Sequence, residues 1–290
     1  MAVALLIVSI TVQFAQGVAT RSSSGHLQES RDSATFSCLR GLLSTLIAVV
    51  VAALMGGFAD DFSVKALLFG LLGGVSLAIC FYVGLIVYRE GGAMMFVGVF
   101  SKVSIFVTVV YSWCFLGEAF RILSLIGVIL IIGAAIVMCF YKGGRVRVNL
   151  KIILLCLLSG LADGVVALSQ KLFAFYEPSG SAAVFNVWMF LFCALFMLPV
   201  VLVINKGKPN FGFLKRTWPH VIFLAGAVFG VSQIMTMLAV KVPATILFPV
   251  TTGVGIILSP FAGLIFKEKI TLSAILGVLM AIGGVVCLYV

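Results

Sequence analysis

The sequence predicts an all-α membrane protein of ten transmembrane helices, arranged as two inverted five-helix repeats. Three observations lead there. First, 63% of the 290 residues are hydrophobic and only 10% are charged, and the mean hydropathy is +1.29. A soluble domain is nearer half apolar and a quarter charged, so the excess points to lipid as the solvent. Second, ten apolar runs of membrane-spanning length follow one another. Third, residues 118–138 and 268–288 are near copies that align without a gap: Glu118 on Glu268, Gly127 on Gly277, Val128 on Val278 and Gly133 on Gly283.

A span needs about 20 apolar residues. The runs fall at 2–19, 34–56, 65–88, 92–116, 120–141, 150–174, 179–205, 217–239, 243–266 and 270–290. The first lacks a basic start, and Gln13 and Gln16 interrupt its end, so it reads as a membrane helix and not a signal peptide. The longest polar connection is 20–33, with Arg21, His26, Glu29, Arg31 and Asp32. Spans 5 and 10 carry Gly127, Gly133, Gly277, Gly283 and Gly284 and almost no other polar group. Small residues let helices approach closely, so these two spans read as contact helices. Pro199, Pro243, Pro249 and Pro260 are positioned to bend spans 7 and 9. The basic stretch 142–151 divides the chain into repeats at 1–142 and 147–290.

The repeat extends beyond its last helices. Gln16-Gly-Val-Ala-Thr20 matches Asp163-Gly-Val-Val-Ala167, Ala34-Thr-Phe36 matches Ala183-Val-Phe185, and Gly74-Val-Ser76 matches Gly230-Val-Ser232. Five helices per repeat is an odd number, so the second copy must start from the opposite side. Inverted repeats with a site at their interface are a transporter architecture.

The chain resembles the EamA-type branch of the drug/metabolite transporter superfamily. The resemblance rests on the Gly-rich fifth helices that follow Gly117-Glu118 and Lys267-Glu268, on Phe248-Pro249-Val250 in span 9, and on Arg40 at the start of span 2. Span 4 departs from the pattern, with Lys102 and no proline. The resemblance implies secondary transport of small metabolites or drugs through a cavity between the halves of a multi-pass cell-membrane protein, commonly as efflux.

Polar groups inside the spans are the candidate site, because a charge or amide in hydrocarbon is costly and usually faces the bundle interior. Asp163 is the one carboxylate deep in a span, with Ser159 and Gln170 on its helical face. Two readings of it compete: a coupling-proton carrier, or a structural aspartate paired with Lys102. Lys102, with Ser104 and Thr108 nearby, either meets an anionic group or snorkels. For Arg40 a snorkelling stem or structural bond competes with binding. Ser9, Gln13, Gln16 and Thr20 form one stripe on span 1. Gln170, Asn186, Ser232, Gln233, Thr251 and Thr252 add polar groups in the second half, and Tyr82 and Tyr111 are candidate aromatic walls. Glu118 and Glu268 read as partners of their own helix dipoles.

The net charge of +10 comes with no nucleic-acid motif and is explained by lipid headgroups. No catalytic set, cofactor motif or metal-ligand spacing is present, so an enzyme is not expected, and the seven cysteines read as small hydrophobes. The alternative to a transporter is a non-transporting receptor or scaffold of the same fold. Expected partners are a small-molecule substrate and the bilayer, with the chain a monomer or homodimer. Odd-numbered connections hold thirteen of the Lys and Arg residues and even-numbered ones four, so the positive-inside rule predicts both termini outside. The resemblance implies the opposite, both termini inside.

Overall fold

The computed structural model describes residues 2–56, 63–100, 104–118, 121–138, 140, 149–207 and 211–289. Among the described residues the chain forms eleven helices and no strand. In order they are α1 Ala2–Ser24, α2 Ser30–Leu54, α3 Val64–Arg89, α4 Met94–Phe100, α5 Ile105–Phe115, α6 Ile122–Met138, α7 Leu150–Tyr176, α8 Ala182–Ile204, α9 Leu214–Lys241, α10 Ala244–Ile265 and α11 Leu272–Tyr289. Seven of them (α1–α3 and α7–α10) are long and apolar enough to cross a membrane, and α5, α6 and α11 are shorter apolar helices. Leu54, Phe115, Ile129, Leu158 and Phe261 are exposed on the outer surface. In water such an apolar exterior would drive association, whereas against acyl chains it is the stable arrangement.

Within the run 92–116 the described residues form α4 and α5, and residues 101–103 between them, the predicted site residue Lys102 included, lie outside the described residues. One expectation changes. The polar connection expected at 20–33 is much shorter, because α1 runs on through Ser24 and α2 begins at Ser30. The Ser23 and Ser24 hydroxyls donate to the carbonyls of Thr20 and Arg21, 2.9 and 2.7 Å away, which lets serines that usually favour coil continue the helix. Asp32 then accepts from the backbone N–H of Glu29 at 3.2 Å and fixes the start of α2.

A shift of about 150 residues carries α1–α3 onto α7–α9, α4 and α5 onto α10, and α6 onto α11. The packing follows that exchange. The pairs α2 with α8, α6 with α11, and α4 and α5 with α10 join counterparts, while α3 on α7 exchanges with α9 on α1. The α6–α11 pair is close because a Cβ on Gly284 would lie 2.8 Å from the carbonyl of Gly127. The contact role expected of spans 5 and 10 agrees with that packing.

The glutamates ahead of these two helices do not serve their own dipoles. Glu118 accepts from the backbone N–H groups of Ala244 and Thr245, at 2.8 and 3.0 Å, at the start of α10. Glu268 accepts from Met94 and Met95, at 2.6 and 3.0 Å, at the start of α4. The helices that follow them begin only at Ile122 and Leu272, four residues on and too far for a cap. Each carboxylate instead satisfies the orphan donors of a helix on the other side of the 150-residue shift. Lys171 of α7, one of the four Lys and Arg residues counted in the even-numbered connections, lies 3.1 Å from Glu118 and donates to the carbonyls of Ala239 and Val242, so it is a buried tie.

Candidate functional site

A cavity of about 300 Å³ lies among α1, α3, α5, α7, α9 and α10, with Arg40 of α2, Val97 of α4 and Met189 of α8 completing its wall. Neither α6 nor α11 contributes to it. Seven of the predicted site residues line it: Gln13, Gln16, Arg40, Ser104, Asp163, Gln170 and Thr252.

The α1 stripe faces this cavity through Gln13, Gln16 and Thr20. Buried Ser9 accepts from Gln13 Nε2 at 3.3 Å, and Thr20 closes on the Gln16 carbonyl at 2.8 Å. The Gln16 side-chain amide is left facing the space. Across it on α7 stands Asp163, which has no ion-pair or hydrogen-bond partner among the described residues. Its neighbour explains why α7 comes so close: a Cβ on Gly164 would lie 2.6 Å from the Ser104 carbonyl and 2.9 Å from Val107. Glycine at 164 therefore seats the carboxylate beside the start of α5, where Ser104 and Thr108 also reach the cavity.

Arg40 does not snorkel. Its residue is 3% exposed, its guanidinium carbon sits 3.7 Å from the Phe81 ring centroid, and its Nε and Nη2 are buried without a hydrogen-bond partner among the described residues. The aromatic face compensates part of the lost hydration. The remaining donors make Arg40 a place where an acceptor on a bound solute would be held strongly.

Asn186 and Gln233 are not part of the wall. Gln170 Nε2 donates to Ser232 Oγ at 2.9 Å, Ser232 Oγ donates to Asn186 Oδ1 at 2.6 Å, and Asn186 Nδ2 donates to Gln233 Oε1 at 2.8 Å. This chain ties α7, α8 and α9 together behind the cavity. Asn186 and Gln233 satisfy each other, while Gln170 and Ser232 reach the cavity from the network's near end. Tyr82 and Tyr111, the expected aromatic walls, are absent from the lining, which is made instead by Phe81, Tyr88 and Phe248. On α3 the lining residues Leu77, Cys80, Phe81, Gly84 and Tyr88 share one face at helical spacing. That stripe is legible as a face but carries almost no polar mark to say it borders a cavity.

Long apolar helices around a cavity that holds several polar side chains define a multi-pass membrane protein. Residues 150–290, the half carrying Phe248-Pro249-Val250 and Gly277, match the EamA-like transporter family. That match agrees with the resemblance carried by the motifs in those residues. No curated protein matches the chain. A crystal structure 13% identical in sequence aligns over 99% of this chain and 95% of its own, with a TM-score of 0.69. At that identity the likeness shows a shared fold.

Proposed function

We propose that the chain is a secondary transporter that exports small organic solutes by alternating access. Its ten spans form two inverted five-helix repeats, 1–142 and 147–290, with α4 and α5 making one span. The observation that carries this reading is the cavity at the seam between the repeats, bordered by several polar side chains and by a carboxylate, Asp163, with no partner among the described residues. Rocking of one repeat on the other would open it to one face at a time. In that ten-span topology the two carboxylate caps fall at opposite ends of the bundle, Glu268 in an odd-numbered connection and Glu118 in an even-numbered one. Opening toward either face separates one carboxylate from its helix terminus, so the two caps are the closures of the cycle.

Asp163 carries the coupling proton in this reading. It faces the cavity without a fixed cation among the described residues, so proton and solute compete for the same carboxylate. The charge bias places the odd-numbered connections in the cytoplasm of a cell membrane and both termini outside. The test is a solute panel of amino acids, nucleosides and quaternary ammoniums offered to proteoliposomes holding a pH-sensitive dye. The parent should show solute-dependent proton movement that Asp163→Asn abolishes. Full retention by Asp163→Asn sinks the proton-carrier role, and no solute movement in the parent for any member of the panel sinks transport itself.

A further inference from the structure

A second cavity, of about 510 Å³, opens where the end of α1, the end of α3 and the turn before α11 meet. Three cations border it: Arg21, Arg89 and Lys267. The Ser22 and Ser24 positions and the backbone at Gly25 and Gly91 complete much of the wall. One carboxylate, Glu268, also borders it, but both its oxygens accept from the start of α4. It forms no ion pair among the described residues.

The two arginines are held in place, and Lys267 has no ion pair among the described residues. Arg21 donates to the Tyr88 carbonyl and lies 5.5 Å from the Tyr88 ring and 5.9 Å from the Phe266 ring. Arg89 gives Nη2 to Ser30 Oγ at 2.9 Å and lies 3.6 Å from a Glu90 carboxylate oxygen, while its Nη1 is buried with no hydrogen-bond partner among the described residues. Lys267 occupies a left-handed backbone conformation, φ 58°, that a non-glycine residue adopts at a cost, and it has no ion pair among the described residues. Two fixed guanidinium groups and an ammonium around one space form a binding arrangement for a group with several charged oxygens.

We propose that this cavity binds a phosphate group, a role separate from the central cavity and independent of whether the chain transports. Its two sources are the headgroup of an anionic phospholipid and a free phosphate in solution. The cavity lies on the face with the greater share of Lys and Arg, where basic recesses between membrane helices meet lipid headgroups.

The test uses the full chain purified in detergent, with Lys267→Gln and Arg21→Gln/Lys267→Gln. Lys215→Gln, which removes a charge from an exposed position elsewhere on that face, is the control. Thermal unfolding is followed against inorganic phosphate with chloride at matched ionic strength. Retained lipid is counted by native mass spectrometry after passage through vesicles of phosphatidylcholine with or without phosphatidylglycerol. Each cation removed should weaken binding about fivefold, and the control should not. Lys267 is exposed and bears no side-chain bond, so Lys267→Gln keeps the test valid even where loss of the Arg21 contact to Tyr88 prevents folding. Saturable stabilisation by phosphate alone assigns the soluble source, and retention of phosphatidylglycerol alone assigns the lipid. No dependence on either probe, or equal losses in Lys215→Gln, overturns the proposal.

Discussion

Replacing Glu118 by Gln isolates the contribution of the even-side closure. The Glu118 and Lys171 side chains are only 13% and 10% exposed and 3.1 Å apart, and the carboxylate also accepts two backbone N–H groups. A glutamine keeps one good acceptor but leaves the Lys171 ammonium with two carbonyls and no counter-charge. Breaking a buried pair from one side costs about 3–5 kcal/mol, because the surviving charge stays desolvated. Since a neutral acceptor remains, a loss of about 3 kcal/mol is expected. Adding Lys171→Met removes the stranded charge and should bring stability back to within about 1 kcal/mol of the parent, since an apolar replacement of a buried pair is often neutral. Glu268→Gln disturbs a cap of the same geometry without such an ion pair. It should lose only the charge assistance of two hydrogen bonds, about 1–2 kcal/mol. Reversible unfolding in mixed micelles, followed by near-ultraviolet circular dichroism, measures all four proteins. The reasoning fails if Glu118→Gln costs no more than Glu268→Gln, or if Lys171→Met on top of it brings no recovery.

Three further outcomes follow from the same geometry. Burial alone would raise the Glu118 carboxyl, but the N–H groups of Ala244 and Thr245 and the Lys171 ammonium outweigh it and hold the group below its ordinary value of 4.5. A depressed carboxylate contributes stability above its unfolded value and loses it as pH falls through the folded one, so unfolding should become easier below pH 4.5, and less so in Glu118→Gln. Gly164→Ala should cost about 1–3 kcal/mol and reduce solute movement in proteoliposomes, because the added methyl meets the Ser104 carbonyl at 2.6 Å and pushes α7 off α5. A phosphatase fused after Val290 should be active and a cytoplasmic reporter there silent; the reverse result reverses the membrane orientation.

Much of the helical framework was legible because apolar run length alone separates lipid-spanning helices from their connections. The continuation of α1 through three serines was missed because the short bonds that rescue them depend on side-chain rotamers that composition does not report. In the site, the helical spacing of Gln13, Gln16 and Thr20, and the isolation of Asp163 in span 6, marked a face that does line the cavity. Polarity alone could not separate residues that face the space from those that satisfy each other. Asn186 and Gln233 read like Gln170 in sequence, and only the bonds between α8 and α9 distinguish them. The roles of Glu118 and Glu268 were hidden for the same reason: their acceptors' partners lie far along the chain.

That distance sets a schedule for synthesis. Met94 and Glu268 are 174 positions apart, so the first turn of α4 is made long before the group that will satisfy it. At about 5–20 residues per second, the ribosome takes roughly 9–35 s to supply that carboxylate. During the interval the α4 amides must remain near water or be held by the insertion machinery, because bare donors are poorly tolerated in hydrocarbon. Final closure of the bundle is therefore tied to the emergence of the last helix, and a chain stalled before position 268 would leave the membrane with a helix terminus that quality control can recognise.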